Sequence, residues 1–291
     1  MQFVRRVRTI WSWLPAFRAV AETEHLPTAA AELDVVPSSL SRMVKLLEDE
    51  LGVSLFDRSA KSLVLNEAGR RLLAATRDAM RLVDDALAVT SGEELRGTAA
   101  AVASRDLAHV VLPHACAAIA ERNPEITTAI VIDDDVNAPA LLLRGDVDVA
   151  LVLVPPSSSE LVITEVAQWS RGVYTRAGGT DERDTMRCVV VGAPGSTDAD
   201  GWPAHEPRHI ASWAADERTA LELVARSGLV TTACDSIARH SDVFERLARF
   251  PTLQLEPRRL YLVQRRALGR HRRTEVLVEA ICASLAHLAD S

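Results

Sequence analysis

A short run of hydroxyl and cationic side chains has the chemistry of nucleic-acid recognition. In Pro37-Ser38-Ser39-Leu40-Ser41-Arg42-Met43-Val44-Lys45 the donors Ser38, Ser41, Arg42 and Lys45 recur at separations of three, four and seven. On a helix they share one side, opposite Leu40, Val44, Leu47 and Leu51. Arg or Lys pairs with guanine in the major groove, and hydroxyls donate to phosphates. Glu48, Asp49 and Glu50 close the far end of the segment and point such a helix in by its first half. A solvated helix face has the same composition, so this segment alone leaves both readings open.

Other chemistry is sparse. The chain has no G-x-S-x-G, no phosphate-binding G-x-x-x-x-G-K-[ST] and no H-E-x-x-H, so no enzyme activity is expected. His205 and His209 have the spacing of two helical metal ligands, but Pro207 lies between them and no third ligand is evident; neither metal nor cofactor is expected. Cys116, Cys188, Cys234 and Cys282 form no C-x-x-C and read as buried reduced thiols, with a Cys188–Cys234 redox pair as the alternative. Arg258, Arg259, Arg265, Arg266, Arg270, Arg272 and Arg273 read as a solvated edge, or else as a second nucleic-acid surface.

At 291 residues the chain is long enough for about two domains. No apolar run approaches the roughly 18 residues of a membrane span. Arg5, Arg6 and Arg8 precede no leader-like apolar stretch, because Pro15 and Arg18 interrupt it, so a cytoplasmic protein is expected. The net charge of −7 excludes a protein that coats nucleic acid indiscriminately. Residues 1–97 carry 13 Arg and Lys against 14 Asp and Glu, so any contact with DNA must come from bases placed locally.

The elements that would place them follow from period and punctuation. Leu14, Phe17 and Val20 mark a first helix over about Trp13–Glu22. A second opens at Pro27 and runs to Leu33; Asp34 and Val35 make the turn, Asp being tolerant of the left-handed conformation. The third runs from Pro37 to about Leu51 and stops at Gly52. Leu55–Arg58 and Ser62–Leu65 read as a small β-wing with Arg58 and Lys61 flanking its tip. Asn66 suits an N-cap, and a long helix then runs to about Thr90. Along it Leu72, Ala75, Ala79, Leu82, Ala86 and Val89 step by three and four, as a dimer seam does and as burial against the chain's own domains also would.

These residues resemble the LysR-type transcriptional regulators. The likeness runs through Phe17-x-x-Val20, Ala29-Ala30, Leu33-x-Val35, Pro37-Ser38-Ser39-Leu40-Ser41-Arg42, Leu46-x-Glu48-x-x-Leu51-Gly52-Val53-x-Leu55-Phe56-x-Arg58 and Leu65-x-Glu67-Ala68-Gly69. The resemblance implies a winged helix-turn-helix, a dimerising linker helix, a two-lobed effector domain, and a dimer or tetramer bound to double-stranded promoter DNA. It assigns DNA contacts to Thr28, Ser38, Ser39, Ser41, Arg42, Lys45, Arg58 and Lys61. The chain departs from the family pattern at Val36, where Ser or Thr usually caps the recognition helix, and at Pro27-Thr28, where Thr-Arg is usual.

Behind the polar stretch Ser91–Gly97, strands and helices alternate: Thr98–Ser104, a helix over Leu107–Arg122, Ile126–Ile132, a helix over Ala138–Arg144, and Val147–Val154. Such alternation predicts parallel sheets in an α/β domain. A second lobe is expected to hold strands at Gly172–Arg176, Arg187–Val191 and His209–Trp213 and a helix over Asp216–Ser227. Leu260–Val263 and the helix Thr274–Leu288 return to the first lobe. The expected fold class is α/β: a winged helix-turn-helix (1–66), a linker helix and hinge (67–97), and a two-lobed periplasmic-binding-protein-like α/β effector domain (98–291). Lobe I takes 98–159 and 261–291, and lobe II takes 160–260. By position, Ser104, Arg105, Asp134, Asp135, Trp213 and Thr231 are the candidate effector-binding residues. Asp133, Asp134 and Asp135 at one sheet edge read as a solvated turn; if one faces the cleft, a neutral or cationic ligand fits better than a dianion. The expected function is sequence-specific transcription regulation by a small-molecule effector. The competing reading is a small-molecule binding protein or enzyme with a vestigial helix-turn-helix, resting on Val36, Pro27 and Thr28.

Overall fold

The computed structural model describes residues 9–59, 62–91, 95–178, 186–195, 200–203, 206–250, 253, 255–266 and 272–290. Two compact units make up the chain, Met1–Glu93 with Leu143–Gly145, and Glu94–Leu142 with Asp146–Ser291. No helix among the described residues is long and apolar enough to cross a membrane.

In the first unit, α1 (Leu14–Thr23), α2 (Leu26–Glu32) and α3 (Pro37–Leu51) pack around Phe17, Val20, Leu40, Val44 and Leu47, all buried. Pro27 and Pro37 occupy first-turn positions, where a missing N–H is harmless. Asp34 turns the chain between α2 and α3 at φ 52°, and the Val35 amide returns to the Ala30 carbonyl at 3.0 Å. Gly52 ends α3 in the left-handed conformation at φ 70°, its amide bonded to the Glu48 carbonyl at 2.8 Å. The wing is the antiparallel pair β1 (Phe56–Ser59) and β2 (Ser62–Leu65). Phe56 reaches from it to Phe17, ring to ring at 5.9 Å and edge-on. The 25-residue helix α4 (Glu67–Ser91) follows, and the Asn66 carboxamide oxygen accepts the Gly69 amide at 2.9 Å, the cap its type suggests. A Cβ at Gly69 would collide with the Leu55 carbonyl and the Leu65 side chain, so only glycine lets α4 lie so close to the wing.

In the second unit, lobe I is a five-stranded sheet in the order β4-β3-β5-β12-β6, made by β3 (Gly97–Ala103), β4 (Ile126–Ile132), β5 (Val149–Val152), β6 (Leu161–Trp169) and β12 (Arg258–Arg265). Strands β3, β4 and β5 are parallel, while β12 runs antiparallel to both β5 and β6. Helices α5 (Arg105–Val110), α6 (Leu112–Arg122), α7 (Ala138–Arg144) and α10 (Arg272–Asp290) complete the lobe. Lobe II holds a three-stranded antiparallel sheet β10-β7-β11 and the parallel pair β8-β9. These are β7 (Arg171–Arg176), β8 (Arg187–Val191), β9 (His209–Ala214), β10 (Thr231–Cys234) and β11 (Leu247–Arg249), with α8 (Glu217–Ala225) and the short α9 (Asp235–Arg239). One apolar cluster runs through both lobes, from Leu107, Leu112 and Leu151 to Leu221, Tyr174 and Ile237.

Three expectations are corrected here. The helix over Leu107–Arg122 is two helices that meet at Val111, where Pro113 supplies no amide to continue the first. The stretch from residue 160 does not open lobe II: Leu161–Trp169 pairs along β12 from Leu161↔Arg265 to Trp169↔Arg258 and extends the sheet of lobe I. β5 ends at Val152, before Pro155-Pro156, and the chain then turns back onto the edge of the same sheet and crosses only at Ser170. By the same pairing, lobe I resumes at Arg258 rather than at residue 261.

Candidate nucleic-acid interface and effector cleft

Helix α3 is two-sided as its sequence requires. Leu40, Val44 and Leu47 are buried, Ser38, Arg42 and Lys45 are exposed, and Ser39 and Ser41 lie half-buried between. Val36 stands at the N-cap in an extended conformation and offers no side-chain bond to the helix, as its type dictates. Thr28 is exposed on α2, its hydroxyl 2.8 Å from His25 Nδ1. The backbone of Arg58 lies in β1, whereas Lys61 is outside the described residues.

What holds α3 and the wing together was not anticipated. Glu48, read as an acid at the remote end of α3, turns its carboxylate to accept the Leu55 amide at 2.8 Å. Glu24, at φ 48° just past α1, accepts the Leu65 amide at 2.8 Å, and Asn66 donates to the Ser54 carbonyl at 2.9 Å. Each satisfies a backbone group at the ends of the wing, Glu48 and Glu24 from helices and Asn66 across the wing itself, which fixes the wing in place. On α4, Leu72 is half-buried and packs on the unit's own core, while Leu82 (47% exposed), Val83 and Leu87 lie open to solvent; Ala75 and Ala86 are exposed, Ala79 is half-buried, and Val89 lies in the helix.

In the second unit, Ser104 precedes α5 and makes no side-chain cap bond. Arg105 Nε lies 3.3 Å from the Asp216 carboxylate. Asp134 is exposed and accepts the amides of Val136 and Asn137 at 3.1 and 2.8 Å, and Asp133 accepts from Asp134, so these two are spent on their own turn. Asp135 is different: one carboxylate oxygen accepts the amides of Leu153 and Val154 at 2.8 and 2.9 Å, and the other is buried without a partner among the described residues. Burial pushes its carboxyl above the usual range. Trp213 is half-buried in β9. Thr231, a candidate effector contact, is a correction, because it lies buried in β10 with its hydroxyl donated to the Val189 carbonyl at 3.0 Å. Its side chain is thereby committed within lobe II.

The sequence reading missed the first turn of α8. Glu217 is 3% exposed, and its carboxylate accepts the Cys234 amide at 2.8 Å and Arg258 Nη1 at 2.9 Å. Asp106, on α5, accepts the amides of Glu217 and Arg218 at 2.8 and 3.2 Å. Burial, and next the charge of Glu217, push its carboxyl up to about 6. Of the C-terminal arginines, Arg258 pairs with Glu217, Arg259 with Glu165 and Arg272 with Glu275, Arg273 is buried against the Thr98 carbonyl, and Arg270 lies outside the described residues. Burial pushes the Cys188 thiol up to about 12 and also raises that of Cys234, which leaves little thiolate for redox chemistry at either.

Comparison with known proteins matches these parts in order. Residues 11–70 match the bacterial regulatory helix-turn-helix protein, lysR family, and residues 92–286 match the LysR substrate binding domain. A probable hydrogen peroxide-inducible genes activator of Mycobacterium xenopi is 37% identical over 150 residues, covering 51% of this chain and 79% of that protein. The chain spans about half the length of the curated relatives that follow. Among solved structures, a full-length OxyR variant from Pseudomonas aeruginosa shares the fold at a TM-score of 0.74, with 16% identity over 96% of this chain and 95% of that one. Full-length LysG from Corynebacterium glutamicum, with bound effector Arg, does so at 0.68, with 18% identity over 94% and 97%. Those two likenesses concern the fold alone, and the family follows from the matches over residues 11–70 and 92–286: this chain belongs to the LysR family, whose members are DNA-binding transcriptional regulators with an effector-binding domain and not enzymes.

Proposed function

We propose that this chain binds promoter DNA with α3 in the major groove and alters that binding when a small molecule enters the cleft between the lobes of its second unit. The observation that carries the reading is the stripe Ser38, Arg42 and Lys45 on the outer side of α3, with Leu40, Val44 and Leu47 buried beneath it. Arg42 reads base edges, Ser38, Ser39, Ser41 and Thr28 hold phosphates, and Lys45, Arg58 and Lys61 supply cations along the backbone. The effector contacts Ser104, Arg105 and Trp213 and the unpartnered oxygen of Asp135. Asp134 stands at the rim. Two copies join along α4 through Leu82 and Ala86, so that paired recognition helices meet half-sites about 34–36 Å apart, in the cytoplasm where the promoter is.

A gel shift with DNA from upstream of the gene, repeated with a metabolite library, tests both halves. A ligand that binds only the folded chain raises its apparent stability and moves the shifted band. No retardation of upstream DNA relative to unrelated DNA ends the reading.

A further inference from the structure

The first two amides of α8 are tied to lobe I. A helix starts with amides that have no partner within the helix. In α8, nine residues long, the first of them (Glu217 and Arg218) donate to the Asp106 carboxylate at 2.8 and 3.2 Å, and the third (Thr219) donates to Asp216 at 2.7 Å. Ala220 already bonds within the helix, to the Asp216 carbonyl at 3.1 Å. Asp106 belongs to lobe I and stands 111 residues away in sequence. Its neighbour Arg105 reaches Asp216 at 3.3 Å, and Arg258 reaches Glu217 at 2.9 Å. Asp216, Glu217 and Arg218 of lobe II are thus held by Arg105, Asp106 and Arg258 of lobe I, through two ion pairs and two amide-to-carboxylate bonds.

A helix start with free amides and a positive dipole end attracts carboxylates and phosphates. Here that place is filled from within the chain. We infer that Asp106 is a resident carboxylate ligand of α8: it occupies the anion site at the start of that helix and clasps the two lobes together without any effector. A small free carboxylate therefore finds no amide to bind at α8 in this chain, and removing the Asp106 side chain uncovers a site for one. The inference also narrows the effector proposed above, and rests on that reading for this consequence alone. A molecule that opens the clasp must give Asp106 hydrogen-bond donors or a cation in place of two amides, which a simple carboxylate cannot do.

Chemical rescue in the full-length protein tests the inference with neither DNA nor effector present, so its outcome is independent of the regulator reading. Hydrogen exchange at Glu217 and Arg218 is followed by mass spectrometry in wild type, Asp106→Ala and Asp106→Asn, with formate as the probe and chloride at matched ionic strength as the control. Asp106→Ala should speed exchange at these two amides by about tenfold or more, the size expected when charge-assisted hydrogen bonds are lost. Formate should restore protection saturably in Asp106→Ala and leave wild type unchanged. Asp106→Asn keeps an acceptor oxygen and should fall between, which guards against a loss that merely reflects poor folding of the alanine variant. Unchanged exchange in Asp106→Ala overturns the clasp. Failure of formate to act beyond chloride, or an equal action on wild type, overturns the filled anion site.

Discussion

Arg258 Nη1, at the start of β12, donates to the buried Glu217 carboxylate of α8 at 2.9 Å, and the same carboxylate accepts the Cys234 amide at 2.8 Å. One acid thus joins a strand of lobe I, a helix of lobe II and a strand of lobe II. Removing one partner of a buried pair strands the other in a place poor in water. Glu217→Ala should destabilise the second unit by about 3–5 kcal/mol, and Glu217→Gln, which still accepts the Cys234 amide, by less. Urea unfolding followed by tryptophan fluorescence reads both. Equal midpoints for wild type and Glu217→Ala would show that the pair contributes nothing.

Stability should depend on pH through Asp106. Its carboxyl is raised to about 6 from 3.8, first by burial and then by the charge of Glu217, with a smaller push from Asp216. The groups that face it are Glu217 and Arg218 at the start of α8, Asp216 just before it, and Cys234 on β10. A folded state with the higher pKa binds the proton more tightly. The resulting stabilisation is complete below the unfolded value and lost as pH rises through about 6. Asp106→Asn removes this titration. The Tm of wild type minus that of Asp106→Asn should therefore increase as pH falls from about 7 to about 5. A difference that stays flat or shrinks over this window would contradict the assignment.

At the DNA interface, Arg42→Ala should weaken binding by about 1–3 kcal/mol and relax sequence preference at one base pair. Lys61→Ala should weaken binding to every sequence alike and reduce the salt slope by about one unit. Titrations of matched and scrambled operators at several salt concentrations separate the two effects. Wild-type affinity and slope in both variants would remove these residues from the interface.

Leu82 is 47% exposed on α4 among further uncovered apolar residues, Val83 and Leu87. If two copies meet there, Leu82→Arg places a charge in the seam and should lower the molar mass measured by light scattering. The same mass for variant and wild type would move the interface elsewhere.

Much of the first unit is legible in its sequence because its signals act over a few residues. Pro27, Pro37, Asp34 and Gly52 each restrict their own backbone, and the three-and-four spacing of Leu40, Val44 and Leu47 orients α3 with Arg42 and Lys45 outward. Asn66 and Asp216 announce caps three residues ahead of the amides they bind, at 2.9 and 2.7 Å. Nothing of that range places Glu24 on Leu65, 41 residues away, or Asp106 on Glu217, 111 away. An acid in a first turn has the same local chemistry whether it faces water or another helix. The exposed run of β6 likewise carries no alternation that would assign it to either lobe, and pairing with β12 alone decides it. The place of Thr231 is illegible for the same reason: a hydroxyl suits a binding site and a buried strand equally until a carbonyl such as that of Val189 is brought within reach. Short-range conformational preference made α3 readable, whereas the junction of the two lobes is built from contacts that exist only once distant segments have met.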